Sequence, residues 1–246
     1  NDASTQGAIN LNGGVLQFGN LSNGGGTSDF NWSAGTIQNL SGQDLVNVDV
    51  DINLIGTGSH TITIDNGQTG TFQAAAQITG GAGGVLVKDG EGALSLMAAN
   101  TYTAATNVDL GELVFDGGSV VATDSVAIDA GTLQVINGGS VNVSNGVTNG
   151  AGAGQLLVDE GTMTVADGFA VDTLRVGENA TSDSNLTVSA GVVTIGNGAE
   201  TLTIGHRGID TGTTAAFTAT VDFSAASSID ISVGDATLGT LGSSGT

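Results

Sequence analysis

The chain of 246 residues contains no cysteine, no proline and only three basic residues. Without cysteine it can form no disulfide, no thiolate metal site and no cysteine nucleophile. Aromatic residues make up 4% of the chain and charged residues 11%, against about 25% charged residues in a typical globular protein. No apolar run approaches the roughly 18 residues that a transmembrane helix needs. Because the sequence starts with Asn1 rather than Met, we interpret it as a processed product or a fragment.

The charge is strongly one-sided. Lys88, Arg175 and Arg207 are opposed by 24 acidic residues, which gives a formal net charge of −21. Nucleic-acid binding depends on a basic footprint, and attraction to anionic lipid needs basic residues too. We therefore expect neither a nucleic-acid partner nor direct membrane insertion. We also expect no cofactor, with calcium only as an incidental counter-ion.

Glycine is abundant, with 42 residues against about 7% of a typical chain. The mean hydropathy is +0.21, and apolar residues alternate with polar ones, unlike in a disordered, highly charged segment. We therefore interpret the glycines as turn positions of an ordered all-β fold, where backbone conformations with positive φ recur.

One short phrase recurs along the chain: a glycine or small polar residue followed by apolar, polar and apolar residues. Each copy has the alternation of a short β-strand. The copies occupy residues 14–18, 92–96, 111–115, 131–135, 154–158, 161–165, 172–176, 184–188, 191–195 and 200–204.

The spacing of these copies predicts a β-solenoid. Two interleaved series of apolar residues have steps of 16 to 23 residues, as expected when several short strands fill each coil and equivalent residues stack. A β-meander is the alternative, with hairpins at Asn-Gly and Asp-Gly pairs such as Asn66-Gly67. The near-20 period favours the solenoid, with about 12 coils. The first series is Leu94, Leu113, Leu133, Leu156, Leu174 and Val193, and the second is Met163, Leu186 and Leu202.

We expect a single solenoid segment over residues 1–246, with no linker that would divide it. Residues 1–83 are less regular, residues 84–233 carry the regular repeats, and residues 234–246 form a Gly/Ser-rich tail. Neither end reads as a polar cap, so association of copies end to end is compatible with the sequence.

Residues 84–115 carry a more specific pattern. A Gly-led strand, Gly92–Leu96, is followed by the corner Asn100–Thr103, by Thr106 and by the closing strand start Gly111–Leu113. This stretch resembles the passenger-associated β-strand repeat of bacterial autotransporters. The sequence departs from the family pattern at Ala104, where that pattern has glycine.

The resemblance implies a right-handed parallel β-helix passenger that is exported to the bacterial cell surface, and a role for the repeat in folding or secretion. It implies a structural role for Asn100, Thr101, Tyr102, Thr103, Thr106, Gly111 and Leu113. From the residues themselves, we expect Tyr102 to fill a corner and to bond a neighbouring coil through its hydroxyl. We expect the Asn100 amide to cap or ladder the turn.

Other candidates for chemistry have plain structural interpretations. His60 lies near Ser59 and Asp65, but a triad is a spatial arrangement, and we interpret His60 as an exposed strand residue. Paired carboxylates could serve a glycosidase, yet acidic residues also keep a solenoid soluble. The remaining candidates are His206 beside Arg207, and the pairs Asp49 with Asp51, Asp159 with Glu160, and Asp222 with Asp230. The segment 80–85 lacks the Asp of the calcium-binding nonapeptide.

The leading hypothesis is a non-enzymatic structural or adhesive passenger segment of an exported bacterial surface protein. Its expected partner is a receptor or glycan on a host or neighbouring cell. One alternative is a self-assembling subunit of a fibre or surface layer. The other is a glycan-active enzyme built on a β-helix.

Overall fold

The computed structural model describes residues 6–150, 152–178, 182–205 and 218–239. These residues contain 27 β-strands and no helix. The strands are β1 (Gln6–Gln17), β2 (Thr27–Gln38), β3 (Leu45–Val48), β4 (Ile52–Leu54), β5 (Ser59–Thr63), β6 (Thr69–Phe72), β7 (Ile78–Gly80), β8 (Val85–Asp89), β9 (Ala93–Leu96), β10 (Ala99–Asn100), β11 (Ala105–Val108), β12 (Glu112–Asp116), β13 (Ser119–Thr123) and β14 (Val126–Ile128). They continue with β15 (Thr132–Ile136), β16 (Ser140–Val143), β17 (Val147–Asn149), β18 (Gln155–Asp159), β19 (Thr162–Val165), β20 (Phe169–Val171), β21 (Thr173–Val176), β22 (Ser184–Val188), β23 (Val192–Ile195), β24 (Thr201–Ile204), β25 (Ala219–Asp222), β26 (Ser228–Ile231) and β27 (Asp235–Leu238).

From β8 onward successive strands belong to different sheets, and every strand pair in the described residues is parallel. Sheet 1 has 12 strands, sheet 2 has six and sheet 3 has nine. From β10 onward the chain visits sheets 2, 1 and 3 in turn, and each visit adds a strand beside the one from the preceding coil. This is a three-sided parallel β-solenoid, which confirms the predicted fold class and rules out the β-meander.

The first two strands are long because each runs along two sides of the coil. Within β2, Phe30 to Trp32 pair with β4, whereas Gly35 to Gln38 pair with β5. The side that begins with β4 and β7 continues into sheet 2, since the backbone N–H of Thr101 donates to Ile78. The three-sided section is therefore present from β2 onward.

The core is one apolar column inside the coil. Alternate strand residues are buried and stack on equivalent residues of the neighbouring coils, as in the row of Leu94, Leu113, Leu133, Leu156 and Leu174. Each coil buries little on its own, so this stacking between neighbours supplies most of the stability.

Both series predicted from the sequence depart from the structure at their last member. Leu174 stacks on Leu202, 28 residues on, whereas Val193 stacks on Phe169 in sheet 1. Leu186 stacks on Val221 rather than Leu202. The late coils are longer than 20 residues, so apolar residues at a near-20 spacing there fall on different sheets.

The solenoid has about eight turns rather than the 12 expected, since the nine strands of sheet 3 span eight repeats. Early coils are also long: Leu45 pairs with Gly70, and Gly70 with Leu94. The predicted period of about 20 residues matches only the short coils near residues 94–133, which is why the number of coils was overestimated. In the tail 234–246, β27 continues sheet 3 as far as Leu238, and residues 240–246 lie outside the described residues.

Candidate functional site

The predicted repeat motif forms the corner between sheets 2 and 1, and its side chains divide into buried and exposed ones. Asn100, Tyr102 and Thr106 are buried, whereas Thr101 and Thr103 point to solvent. The exposed pair holds the corner through its backbone: the N–H groups of Thr101 and Thr103 donate to Ile78 and Gly80 at 2.9 Å each.

Asn100 joins two coils through its side chain. Its Oδ1 accepts the backbone N–H of Ile78 at 2.9 Å, and its Nδ2 donates to the Ala98 carbonyl at 3.0 Å. Both bonds are buried, and an unmade buried bond is costly. The Asn100 side chain therefore accepts the hydrogen bond from Ile78 that a backbone carbonyl would accept in a regular pair of strands.

Tyr102 starts a chain of hydrogen bonds inside the core. Its hydroxyl lies 3.0 Å from Thr106 Oγ1, which lies 3.0 Å from Thr123 Oγ1. Thr123 donates to the Ala104 carbonyl at 2.7 Å. A carbonyl only accepts, and each hydroxyl has one proton, so Thr106 donates to Thr123 and Tyr102 donates to Thr106. Burial raises the pKa of the Tyr102 hydroxyl above its ordinary value, and the bond to Thr106 opposes this.

Ala104, where the autotransporter pattern has glycine, suits this corner. Among the described residues, positive φ outside glycine occurs only at Asn47, Asn137 and Glu160. The corner therefore needs no glycine at position 104. The Ala104 side chain is buried, and its carbonyl accepts the bond that ends the hydroxyl chain.

Gly111 and Leu113 complete the motif at the start of sheet 3. Gly111 has a φ of 66°, and a Cβ there would overlap the carbonyl oxygens of Gly90 and Gly92 in the preceding coil. Leu113 is buried between Leu94 and Leu133. The motif thus positions two successive corners of one coil.

Sequence reasoning missed Thr123, the third hydroxyl of the buried chain. Thr123 follows a register irregularity between β13 and β16, which shifts it to the inner face beside Val143. Simple alternation along β13 does not reveal such a shift.

Lys88 is buried, which sequence reasoning also missed. Its Nζ donates to the carbonyl oxygens of Asp89, Gly90 and Leu110 at 2.9, 2.7 and 3.1 Å. Burial lowers the pKa of Lys88 to about 8, against the attraction of Asp89 and Glu112. The signal was present in the sequence, because alternation along β8 puts Lys88 on the same inner face as Leu86.

His60 is also buried, so its interpretation as an exposed strand residue is wrong. Its ring lies edge-on to Trp32 with 5.3 Å between ring centroids. Nδ1 lies 3.3 Å from the Val85 carbonyl and therefore carries the proton, which leaves Nε2 buried without a partner among the described residues. Ser59 is exposed on the opposite face of the strand, so the two cannot act as a catalytic pair.

The other acidic candidates either accept hydrogen bonds from backbone N–H groups of loops or lie on different sheets. Asp49 and Asp51 lie between β3 and β4 rather than on one strand; Asp49 accepts the N–H of Asn23, and Asp51 accepts that of Gln77 at 2.9 Å. Asp222 and Asp230 are exposed on sheets 2 and 1. His206 and Arg207 lie outside the described residues.

Asp159 is the carboxylate whose surroundings are most unusual. Its Oδ1 is buried and has no hydrogen-bond partner among the described residues. Burial raises the pKa of Asp159 to about 7, and repulsion from Glu160 and Glu178 adds to this. In residues 6–150, 152–178, 182–205 and 218–239, no group of three or more His, Asp or Glu side chains could hold a metal ion.

Acidic side chains concentrate at the corner between sheets 1 and 3. Asp89, Asp109 and Asp129 follow stacked strand residues in consecutive coils. Burial raises the pKa of Asp109, with further repulsion from Asp89 and then Asp129. The Lys88 ammonium lies inside the coil and donates to the backbone carbonyls of Asp89 and Leu110. Its positive charge offsets part of the negative charge of the carboxylates at this corner.

Comparison with known proteins finds a bacterial adhesin. The chain is 33% identical over 141 residues to the adhesin BmaC autotransporter of Brucella suis biovar 1 (strain 1330), in an alignment that covers 48% of this chain and 4% of that protein. No family model matches the chain. No solved structure matches it either.

This similarity and the parallel β-solenoid agree with the resemblance to autotransporter passengers seen in residues 84–115. The chain corresponds to only a small part of that adhesin's length. The described residues contain no helix long and apolar enough to cross a membrane.

Proposed function

We propose that this chain is a non-enzymatic structural and adhesive passenger segment of an exported bacterial surface protein. The observation that carries the proposal is the similarity to an autotransporter adhesin over 48% of a chain that folds as stacked β-coils. The large, regular side faces of such a rod are available to a receptor or glycan on another cell.

The charge distribution supports the same role. Of the basic residues in the described part of the chain, Lys88 is buried and Arg175 pairs with Glu178 at 3.5 Å. The outer surface is therefore acidic and favours solubility over association with anionic polymers. The Asp49 and Asp51 carboxylates accept backbone hydrogen bonds from loops of neighbouring coils, which gives this pair a structural use.

The proposal is tested in the bacterium that encodes the chain. Antibodies raised against the purified 246-residue chain should label intact cells, and deletion of this segment from the parent gene should remove the label and reduce adherence to host cells. Labelling that appears only after the cells are lysed would contradict a surface location. Unchanged adherence with the label lost would contradict the adhesive part of the proposal.

As a second candidate, we propose that copies of the 246-residue chain associate end to end through the last described coil. Its strands are exposed, and Ile229, Ile231 and Leu238 are 51%, 44% and 67% exposed. Such open strand edges and apolar side chains invite pairing with another chain. Light scattering at increasing concentration should show growing particles, and Ile229→Asp with Ile231→Asp should reduce them. A monomer at every concentration would exclude this assembly.

A further inference from the structure

Seven Asn-Gly pairs occur in the sequence, at Asn12, Asn23, Asn66, Asn137, Asn145, Asn149 and Asn197. Asparagine before glycine is prone to deamidation, because glycine has no Cβ to hinder attack by its own backbone nitrogen. The reaction needs a free glycine N–H and a mobile asparagine side chain. The fold therefore decides which of the seven pairs can react.

Three pairs are restrained at the glycine nitrogen. The N–H groups of Gly138, Gly150 and Gly198 donate to carbonyl oxygens of other coils at 2.6, 2.9 and 2.8 Å. Each of these bonds must break before the nitrogen can attack, which adds to the barrier.

Three other pairs are restrained at the asparagine side chain. Asn12 Oδ1 accepts the Ser33 hydroxyl at 2.7 Å, and Asn23 Oδ1 accepts the N–H of Gly25 at 3.2 Å. Asn145 Nδ2 donates to Asp124 at 2.7 Å. These bonds restrict the movement that the side-chain amide needs for the reaction.

The seventh pair, Asn66-Gly67, lies at the tip of an exposed turn. The N–H of Gln68 donates to the Asp65 carbonyl at 3.0 Å and closes the turn, with Gly67 at a φ of 73°. Asn66 and Gly67 are both exposed. Within the described residues, neither the Asn66 side chain nor the Gly67 N–H makes a hydrogen bond.

We propose that Asn66 is a site of spontaneous deamidation in the folded protein. The Gly67 nitrogen forms a bond to Asn66 Cγ, the Cγ–Nδ2 bond breaks, and ammonia leaves with the proton from the Gly67 N–H. Water then opens the cyclic imide at either carbonyl to give aspartate or isoaspartate at position 66. No oxidant, reductant or cofactor is required.

The modification changes a corner that supports the next coil. The Gln68 carbonyl accepts the N–H of Ala93 at 3.2 Å, and a Cβ at Gly92 would overlap the Asp65 and Gln68 carbonyls. Isoaspartate lengthens the backbone of this turn by one carbon, and either product adds a negative charge near Asp65. The contact between the turn and the following coil is therefore weakened.

The test is peptide mapping by mass spectrometry after incubation in mildly alkaline buffer, with the chain folded or unfolded in urea. In the folded chain, Asn66 should deamidate up to about tenfold faster than Asn137 and Asn197, because those sites must first lose a hydrogen bond. In urea the three rates should converge. The matched control Asn66→Gln should remove the product at position 66 and leave the rates at Asn137 and Asn197 unchanged.

A folded-state rate at Asn66 no higher than at Asn137 would overturn the proposal. An equal ratio of rates in the folded and unfolded chains would overturn it as well, since the selectivity would then come from local sequence rather than from the fold.

Discussion

At the scale of single residues, the buried hydroxyl chain has a direction, and the direction predicts unequal costs. Tyr102→Phe removes only the first donor, and Thr106 still donates to Thr123. Thr123→Val leaves the Thr106 hydroxyl without an acceptor and the Ala104 carbonyl without its short bond. We expect a cost of about 1 kcal/mol for Tyr102→Phe and about 2–3 kcal/mol for Thr123→Val. Urea denaturation of both variants measures the difference, and a larger loss for Tyr102→Phe would refute the donor order.

Glycine is required at Gly111 by close approach of the preceding coil as well as by its backbone conformation. Gly117 has the same φ of 66°, but a Cβ there would meet no atom closer than 3.5 Å. Gly111→Ala and Gly117→Ala therefore carry the same conformational strain, of order 1–3 kcal/mol, and only the first also overlaps backbone carbonyls. Thermal unfolding should show the larger loss for Gly111→Ala. Equal losses would mean that coil-to-coil contact at this corner is unimportant.

Asp159 gives the chain a stability that depends on pH. Its folded pKa of about 7 exceeds the ordinary value of 3.8, so ionisation is disfavoured in the folded state. Stability is therefore expected to fall as the pH rises from about 4 through 7. Asp159→Asn should reduce this dependence and raise stability at pH 8 by on the order of 1 kcal/mol after solvent screening.

Denaturation curves at pH 5 and pH 8 check the Asp159 prediction. The exposed residue Asp230 supplies the control, because Asp230→Asn changes the net charge equally. An undiminished pH dependence in Asp159→Asn would assign the effect to other carboxylates.

At the scale of elements, the sequence predicted strands better than it predicted coils. Each of the ten copies of the repeated phrase has four or five of its five residues in a strand, because alternation between core and solvent leaves a period of two. Several strands of sheet 1, such as β14 and β17, escaped notice because three residues are too few to show alternation. Their positions follow from stacking against the neighbouring coil, which is a contact between residues about 20 apart.

The coil period was predictable only where the coils are short and uniform. The steps from Leu94 to Leu113 and Leu133 fit the structure, whereas the step from Leu174 skips to Leu202. An insertion at a corner lengthens a coil without disturbing the strands on either side. The apolar–polar alternation within each strand therefore does not reveal the insertion. The buried state of Lys88 and the motif corner were accessible to sequence reasoning, but the role of Thr123 was not, since it depends on a register shift.

At the scale of the whole molecule, the described residues form a solenoid whose stability lies in contacts between coils, and the proposed function depends on its faces. The similarity to an adhesin spans 48% of the chain, and the parallel stacking extends over all four described ranges. Repulsion between the acidic corners of different copies is expected to favour solubility.

The most direct test of the parallel solenoid uses the lack of cysteine as a clean background. Gln134 and Leu157 are register partners on the outer face of sheet 3. A hairpin with a three-residue loop at 137–139 would instead bring Gln134 opposite Asn142. Neighbouring strands place paired Cα atoms within reach of a disulfide. On mild oxidation, Gln134→Cys with Leu157→Cys should form an intramolecular disulfide, and Gln134→Cys with Asn142→Cys should not. Efficient bonding in the second variant and none in the first would contradict the stacked parallel coil.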